Sequence, residues 1–272
     1  MNTMASQMAS TALVVRRMAF PFDGVPRHWF GGSLFRTHLV NGVNFVFPAG
    51  ERFFIRSVNH YATKVSPAMR DRIRGFAGQE AMHQVEHLRF FATLESQGYE
   101  IQSFLEWYER VAYEFLEGSF PPEVRLATTA ALEHYTATLG EFALRSELLD
   151  KAHSEVRDLL MWHAAEEIEH KSVAYDLLQE VDPRYRTRLK GFAVATGSLF
   201  YFWIAGVRHL MAQEPAEERA KADRDAARWL VEVAPGLIRT TLDFLRPGFH
   251  PDDHDNYQLA AAYLASIGRL AA

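Results

Sequence analysis

Apolar residues recur along most of this chain at intervals of three and four, the period of a helix with one buried face. The pattern predicts one or two helices over residues 30–60, interrupted at Pro48 because proline lacks an N–H and crowds the preceding turn. A long helix follows over 67–97 and stops at Gly98, and a shorter one covers 101–117. The stretch GSFPPEV breaks the chain and supplies proline at a helix start, after which 123–151 and 154–179 read as two more long amphipathic helices. Pro183 ends that portion. Beyond it come an apolar segment over 191–207, a charged connector over 214–228, a helical stretch to about Leu245 and a polar HPDDHDN turn. No alternating run rich in Val, Ile and Thr predicts a sheet. The expected fold is therefore all-α, with an extension over 1–30, a four-helix bundle over 31–182 and a helical C-terminal extension over 183–272 packed on it.

One of these helices carries WHAAEEIEH, which sets His163, Glu166, Glu167, Glu169 and His170 in an otherwise apolar run. Each helical residue advances about 100°, so His163, Glu167 and His170 fall within roughly 60° of one another. Burying such groups unpaired costs several kcal/mol, so they must face water, each other or a cation. The 67–97 helix repeats the device in GQEAMHQVEH, where Glu80, His83 and His87 share a face. Glu133 stands among small and apolar residues with no basic residue three or four positions away, and Glu51 stands among phenylalanines. Each predicted bundle helix thus offers either one Glu or one Glu-x-x-His. That is the ligand arithmetic of a two-metal carboxylate site inside a four-helix bundle. Four carboxylates balance two divalent cations, so the site can be buried, and oxygen and imidazole donors suit iron, with manganese or zinc as alternatives.

Composition narrows the chemistry. The chain has 272 residues, 48% of them hydrophobic, enough for a substantial core. A formal charge of −5 without a dense basic cluster argues against nucleic acid. With no cysteine there are no disulfides, thiolate nucleophiles or iron–sulfur sites, and only N and O ligands remain. The apolar patch near the N-terminus precedes its arginines, the reverse of a secretory signal, so the expected location is cytoplasmic. Residues 191–207 lack charge and lie between Lys190 and Arg208, at the lower limit for a membrane span. They read as a core helix or a subunit interface, as in a homodimer, with membrane association as the alternative.

The set Glu51, Glu80-x-x-His83, Glu133, Glu167-x-x-His170 resembles that of the ferritin-like di-iron carboxylate superfamily over roughly residues 35–180. The stretches FPAGERFF, GQEAMHQVEH, ALEHYTA and WHAAEEIEHKSVAYD resemble the bacterial family catalogued as predicted metal-dependent hydrolases. His163, completing H-x-x-x-E-x-x-H, resembles the additional ligand of the p-aminobenzoate N-oxygenase group. These resemblances imply a ferritin-like bundle holding two metal ions on Glu51, Glu80, His83, Glu133, His163, Glu167 and His170, with His87 behind the ligands. Alternatives stay open: Glu51 as a helix N-terminal carboxylate, Glu133 bonded to a neighbouring Tyr or His, and His163 behind the metal instead of on it. Glu86, Glu166 and Glu169 are expected to be solvated or paired with surface Arg and Lys, and His134 lies about 100° from Glu133. Phe53, Phe54, Phe90, Tyr135 and Tyr175 are candidates for an apolar pocket or for plain core.

The implied activity is oxidation of a small organic substrate by activated O2. No nicotinamide or flavin fingerprint is present, so electrons would come from an external donor. A two-metal hydrolase, in which a bridging water is acidified and a Glu acts as base, is the alternative. Iron storage is disfavoured by the length beyond the bundle, and a purely structural metal by a core that needs no staple.

Overall fold

The computed structural model describes residues 13–219, 222, 238 and 240–270. It is all-α: among the described residues the one β feature is an isolated bridge between Phe30 and Ala152. The helices are α1 (Leu34–Asn59), α2 (Pro67–Ser96), α3 (Gln102–Glu109), α4 (Pro122–Arg145), α5 (Ser154–His170), α6 (Val173–Val181), α7 (Tyr185–Met211) and α8 (Tyr257–Ser266). Ser33 and Ser66 cap α1 and α2 by accepting the N–H groups of Arg36 and Met69, and Pro67 and Pro122 occupy first-turn positions where a missing N–H costs nothing. In the bundle α1 packs on α2, α4 on α5, and α1 on α4. One apolar cluster, with Phe45, Phe90 and Trp162, lies to one side of its middle, and a second, with Phe76, Leu126 and Ala130, lies to the other.

Four boundaries differ from expectation. First, α1 runs unbroken through Pro48; its residues are buried on both sides of the proline, and that packing outweighs the roughly 3 kcal/mol an interior proline costs. Second, 154–179 is split, because α5 ends at His170 and α6 starts at Val173. The buried Lys171 at the break reaches the carbonyl of His254 and, at 2.6 Å, Asn256 Oδ1. Third, the 101–117 segment is α-helical only to Glu109; Arg110–Leu116 forms a π-helix. Last, α4 ends at Arg145 and Glu147–Leu149 forms a 3-10 turn.

Glycines let α7 seat closely on the bundle. A Cβ on Gly42 would lie 2.5 Å from Val207 Cγ2, and one on Gly191 would lie 2.4 Å from the backbone of Ala127. The expected core role of 191–207 holds for this inner face only, since Phe200, Tyr201 and Ile204 are exposed. By length and composition α7 is apolar enough to cross a membrane, and one such helix is weak ground for a span. Most of the expected 214–228 connector and of the helix to about 245 lies outside the described residues. At the other end, Leu13 and Val15 lie against Gly75 and Gly78 of α2, where a Cβ would come within 2.7 and 2.4 Å. That close approach carries Arg16 into the interior, where it is buried.

Candidate metal centre

Glu51 projects from α1, Glu80 and His83 from α2, Glu133 from α4, and His163, Glu167 and His170 from α5; all seven are buried. They form two groups. Glu51, His83 and His163 each place a ligand atom within 4.8 Å of the others, and Glu80, Glu133, Glu167 and His170 do the same. Two carboxylates connect the groups. Glu80 sets Oε1 3.3 Å from His170 Nε2 and Oε2 3.7 Å from His83 Nδ1. Glu167 sets Oε1 2.7 Å from His163 Nε2 and 3.5 Å from His83 Nδ1, and Oε2 3.5 Å from His170 Nε2. Glu51 Oε1 stands 3.8 Å from His163 Nε2, and Glu133 Oε2 stands 3.2 Å from His170 Nε2. Glu80 and Glu167 thus face both groups, while Glu51 and Glu133 each face one.

Each imidazole is held from behind. His83 Nε2 lies 3.0 Å from Glu166 Oε2, and Glu166 Oε1 accepts from Arg16 Nη1 at 2.8 Å. His170 Nδ1 lies 3.1 Å from Gln79 Oε1, and Gln79 Nε2 donates to Glu169 at 2.9 Å. His163 Nδ1 lies 2.7 Å from His87 Nε2. The atoms left over point inward without a hydrogen-bond partner: His83 Nδ1, His170 Nε2, both oxygens of Glu51, Glu80 and Glu133, and Glu167 Oε2. Buried polar atoms are normally paired, so this convergent unpaired set fits cations held between them.

The electrostatics agree. Burial, reinforced by the charge of Glu167, pushes the Glu51, Glu80 and Glu133 carboxyls well above the usual range. Burial also pushes Glu167 up, but His170 and His163 outweigh it and hold that carboxyl well below. Burial and the neighbouring His163 keep His83 well below an ordinary histidine, hence neutral and able to donate a lone pair. Two divalent cations would supply the charge that four buried carboxylates lack.

All seven sequence-derived candidates come together, and His87 stands behind His163. Because α1 does not restart at Pro48, Glu51 lies deep in the helix and not at an N-terminus. Glu133 bonds no neighbouring Tyr, and the histidine beside it is His170 of the same centre, 3.2 Å away. The expectation for Glu166 is corrected: it is fully buried and links Arg16 to His83, because α2 and the N-terminal segment pack over its face of α5. Glu169 is likewise paired with the buried Arg16, at 2.7 Å, and Glu86 is buried and paired with Arg89 at 2.9 Å. His134 turns away to the carbonyl of Thr240 at 3.0 Å. Gln79, Glu166 and Arg16 were not among the candidates; the only hint was a third glutamate inside an apolar run. Of the five aromatics, Phe53, Phe54 and Tyr135 line a cavity beside the centre, while Phe90 and Tyr175 belong to the core.

Residues 14–255, a span containing all seven residues, match the family described as predicted metal-dependent hydrolase, and the chain belongs to that family. No curated protein and no solved structure matches it.

Proposed function

We propose that this chain is an enzyme whose buried Glu/His centre holds two iron ions and uses O2 to oxidise a small organic substrate. The observation that carries this reading is the third imidazole. His163 Nε2 faces Glu167 and Glu51, and the same side chain borders an apolar cavity. A third neutral nitrogen enriches one ion electronically without adding charge, which serves a metal that must give electrons to O2. The bound ions would supply the electrons and the binding place for O2. Glu80 and Glu167 would hold both ions; Glu51, His83 and His163 would complete one, and Glu133 and His170 the other.

The chain's other residues fix proton positions. Glu166 accepts the Nε2 proton of His83, leaving Nδ1 free to ligate, and Gln79 Oε1 accepts the Nδ1 proton of His170, leaving Nε2 free. His163 Nδ1 is paired with His87 Nε2, which turns its Nε2 towards Glu167.

The family's description supports a second reading, hydrolysis, and lends oxygen chemistry no support. In that case an acidified water would be the nucleophile and Glu51 or Glu133 the base. The mostly apolar lining of the cavities beside His163 is what favours oxidation over it. The test is anaerobic loading with Fe(II) followed by stopped-flow mixing with O2. Oxygen consumption with transient visible absorbance is expected, and His163→Ala should keep most of the metal but change the trace. An inert Fe(II) protein that hydrolyses aryl esters when loaded with Zn(II) or Mn(II) would establish the second reading.

A further inference from the structure

Two cavities of about 90 and 130 Å³ adjoin the centre on its His163 side. They share Val43, Phe47, Thr136, Leu139, His163 and Glu167, so they meet at the side chains that also face the metal positions. An apolar cavity of ~150 Å³ stays dry and accepts benzene, which sets the scale of the group that fits here.

The walls carry hydroxyls, yet each has already given its proton away. Thr128, Thr136 and Ser198 donate to the helix carbonyls of Val124, Glu133 and Val194. Tyr135 is bonded to Thr196, whose own hydroxyl donates to Phe192. Tyr113 donates to Tyr108 at 2.5 Å, because Tyr108 donates to the carbonyl of Val46. In the other cavity the Trp203 indole donates to the carbonyl of Leu39. On the outward side Glu117 binds Arg56 at 2.6 Å, and Arg125 donates through Nε to the carbonyl of Phe120. Apart from the metal-facing groups and the remaining guanidinium N–H groups of Arg125 on the outward side, the hydroxyl and indole protons of these walls are engaged, so beside His163 no free donor receives an oxygen or a carboxylate. An acceptor such as a carboxylate oxygen entering beside His163 would lose its water and gain no donor in return.

We propose that the group presented to the centre is an unsubstituted alkyl or aryl group about the size of a benzene ring, so that C–H positions stand beside His163. This rests on the oxidative reading above. It differs from the amine that the resemblance to the N-oxygenase group would suggest, because the wall shared by the two cavities beside His163 is mostly apolar, with Val43, Phe47 and Leu139.

The test uses the full chain loaded with Zn(II), titrated with toluene and with benzoate and followed by ligand-observed NMR. Toluene should bind saturably and benzoate at least about tenfold more weakly, since its carboxylate stays unpaired. Leu139→Trp fills the shared wall, and Val194→Phe fills one cavity from α7, so the test survives if the first variant does not fold. Each should weaken toluene about tenfold with metal content unchanged. Mn(II) in place of Zn(II) should broaden the bound toluene signals, placing the ring beside the centre. Benzoate binding as well as toluene, toluene binding unaltered in both variants, or no Mn(II) broadening would each overturn the inference. A wild type that takes up no metal would instead overturn the two-metal reading, and toluene binding would still be measurable in it.

Discussion

Among the described residues, histidine and glutamate gather in two regions. Besides the central set, His28, His38 and Glu214 place ligand atoms within 4.8 Å of one another. Distance alone does not separate the clusters; partners do. Glu214 Oε1 accepts from the Tyr99 hydroxyl, lies 3.0 Å from His38 Nε2 and 3.3 Å from His28 Nε2, and meets Arg27 Nε at 3.3 Å. Burial raises this carboxyl, but the hydrogen bonds from Tyr99, His38 and His28 and the Arg27 charge hold it down at about 2. At the centre the inward oxygens of Glu51, Glu80 and Glu133 have no donor, and their carboxyls go up. The buried guanidinium behind His83, Arg16, is spent on Glu166 and Glu169. A cluster that already holds its cation is a latch; one whose atoms converge unpaired is a receptacle.

The largest effect should therefore fall on metal content. Wild type is expected to hold about two ions per chain, one for each pair of carboxylates. Glu80→Ala and Glu167→Ala each remove a carboxylate that faces both groups, so both ions should be lost, whereas Glu214→Ala should keep both. Elemental analysis after loading and desalting reads this directly, and metal lost from Glu214→Ala but kept in the other two would invert the comparison. Stability comes next. A ligand at ~1,000 times its dissociation constant stabilises the folded state by about 4 kcal/mol, so chelation should lower the melting temperature of wild type and of Glu214→Ala alike. Glu80→Ala should melt at one temperature with or without chelator.

The metal-facing set was legible in the sequence because helical spacing alone puts Glu80 with His83, and His163 with Glu167 and His170, on common faces. What spacing cannot show is which neighbour covers an adjacent face. Glu166 sits about 100° from Glu167, and only the packing of α2 and of the segment through Arg16 turns that position from solvent to interior. The split after His170 was invisible for the same reason: Lys171 is drawn off by residues more than 80 positions later. Pro48 misled in the opposite direction, its local preference being overruled by burial on both sides. The cavities were illegible as shapes, since α1, α4, α5 and α7 all contribute walls; Phe53, Phe54 and Tyr135 were visible only as candidates.

A smaller effect sharpens the role of Glu166. Removing a carboxylate that orients a ligating histidine typically costs 10–100-fold in metal affinity, so Glu166→Ala should weaken binding by about that factor without abolishing it. Competition against a metal indicator measures it. Affinity equal to wild type would show that His83 is held by packing against Trp162, 5.0 Å away edge-on, and not by the carboxylate.

The smallest effect on metal, none, belongs to the latch, and its signature lies in pH. Glu214 binds its proton more weakly in the folded chain, at about 2, than at the ordinary 4.5. A carboxyl depressed in this way contributes its full stability above the ordinary value, and that contribution is lost as pH falls towards the folded value. Glu214→Gln keeps the shape but cannot carry the charge, so at pH 7 it should be less stable than wild type by about 1.5–3 kcal/mol, the worth of hydrogen bonds to a charged group. Denaturant titrations at pH 7, 5, 4 and 3 should show that gap intact at 7 and 5 and closing between 4 and 3, with metal content unchanged at neutral pH. A gap that stays constant down to pH 3 would mean that Glu214 acts by packing and not by charge. Loss of bound metal from Glu214→Gln at pH 7 would make the second cluster a receptacle as well, and the contrast between the two would fail.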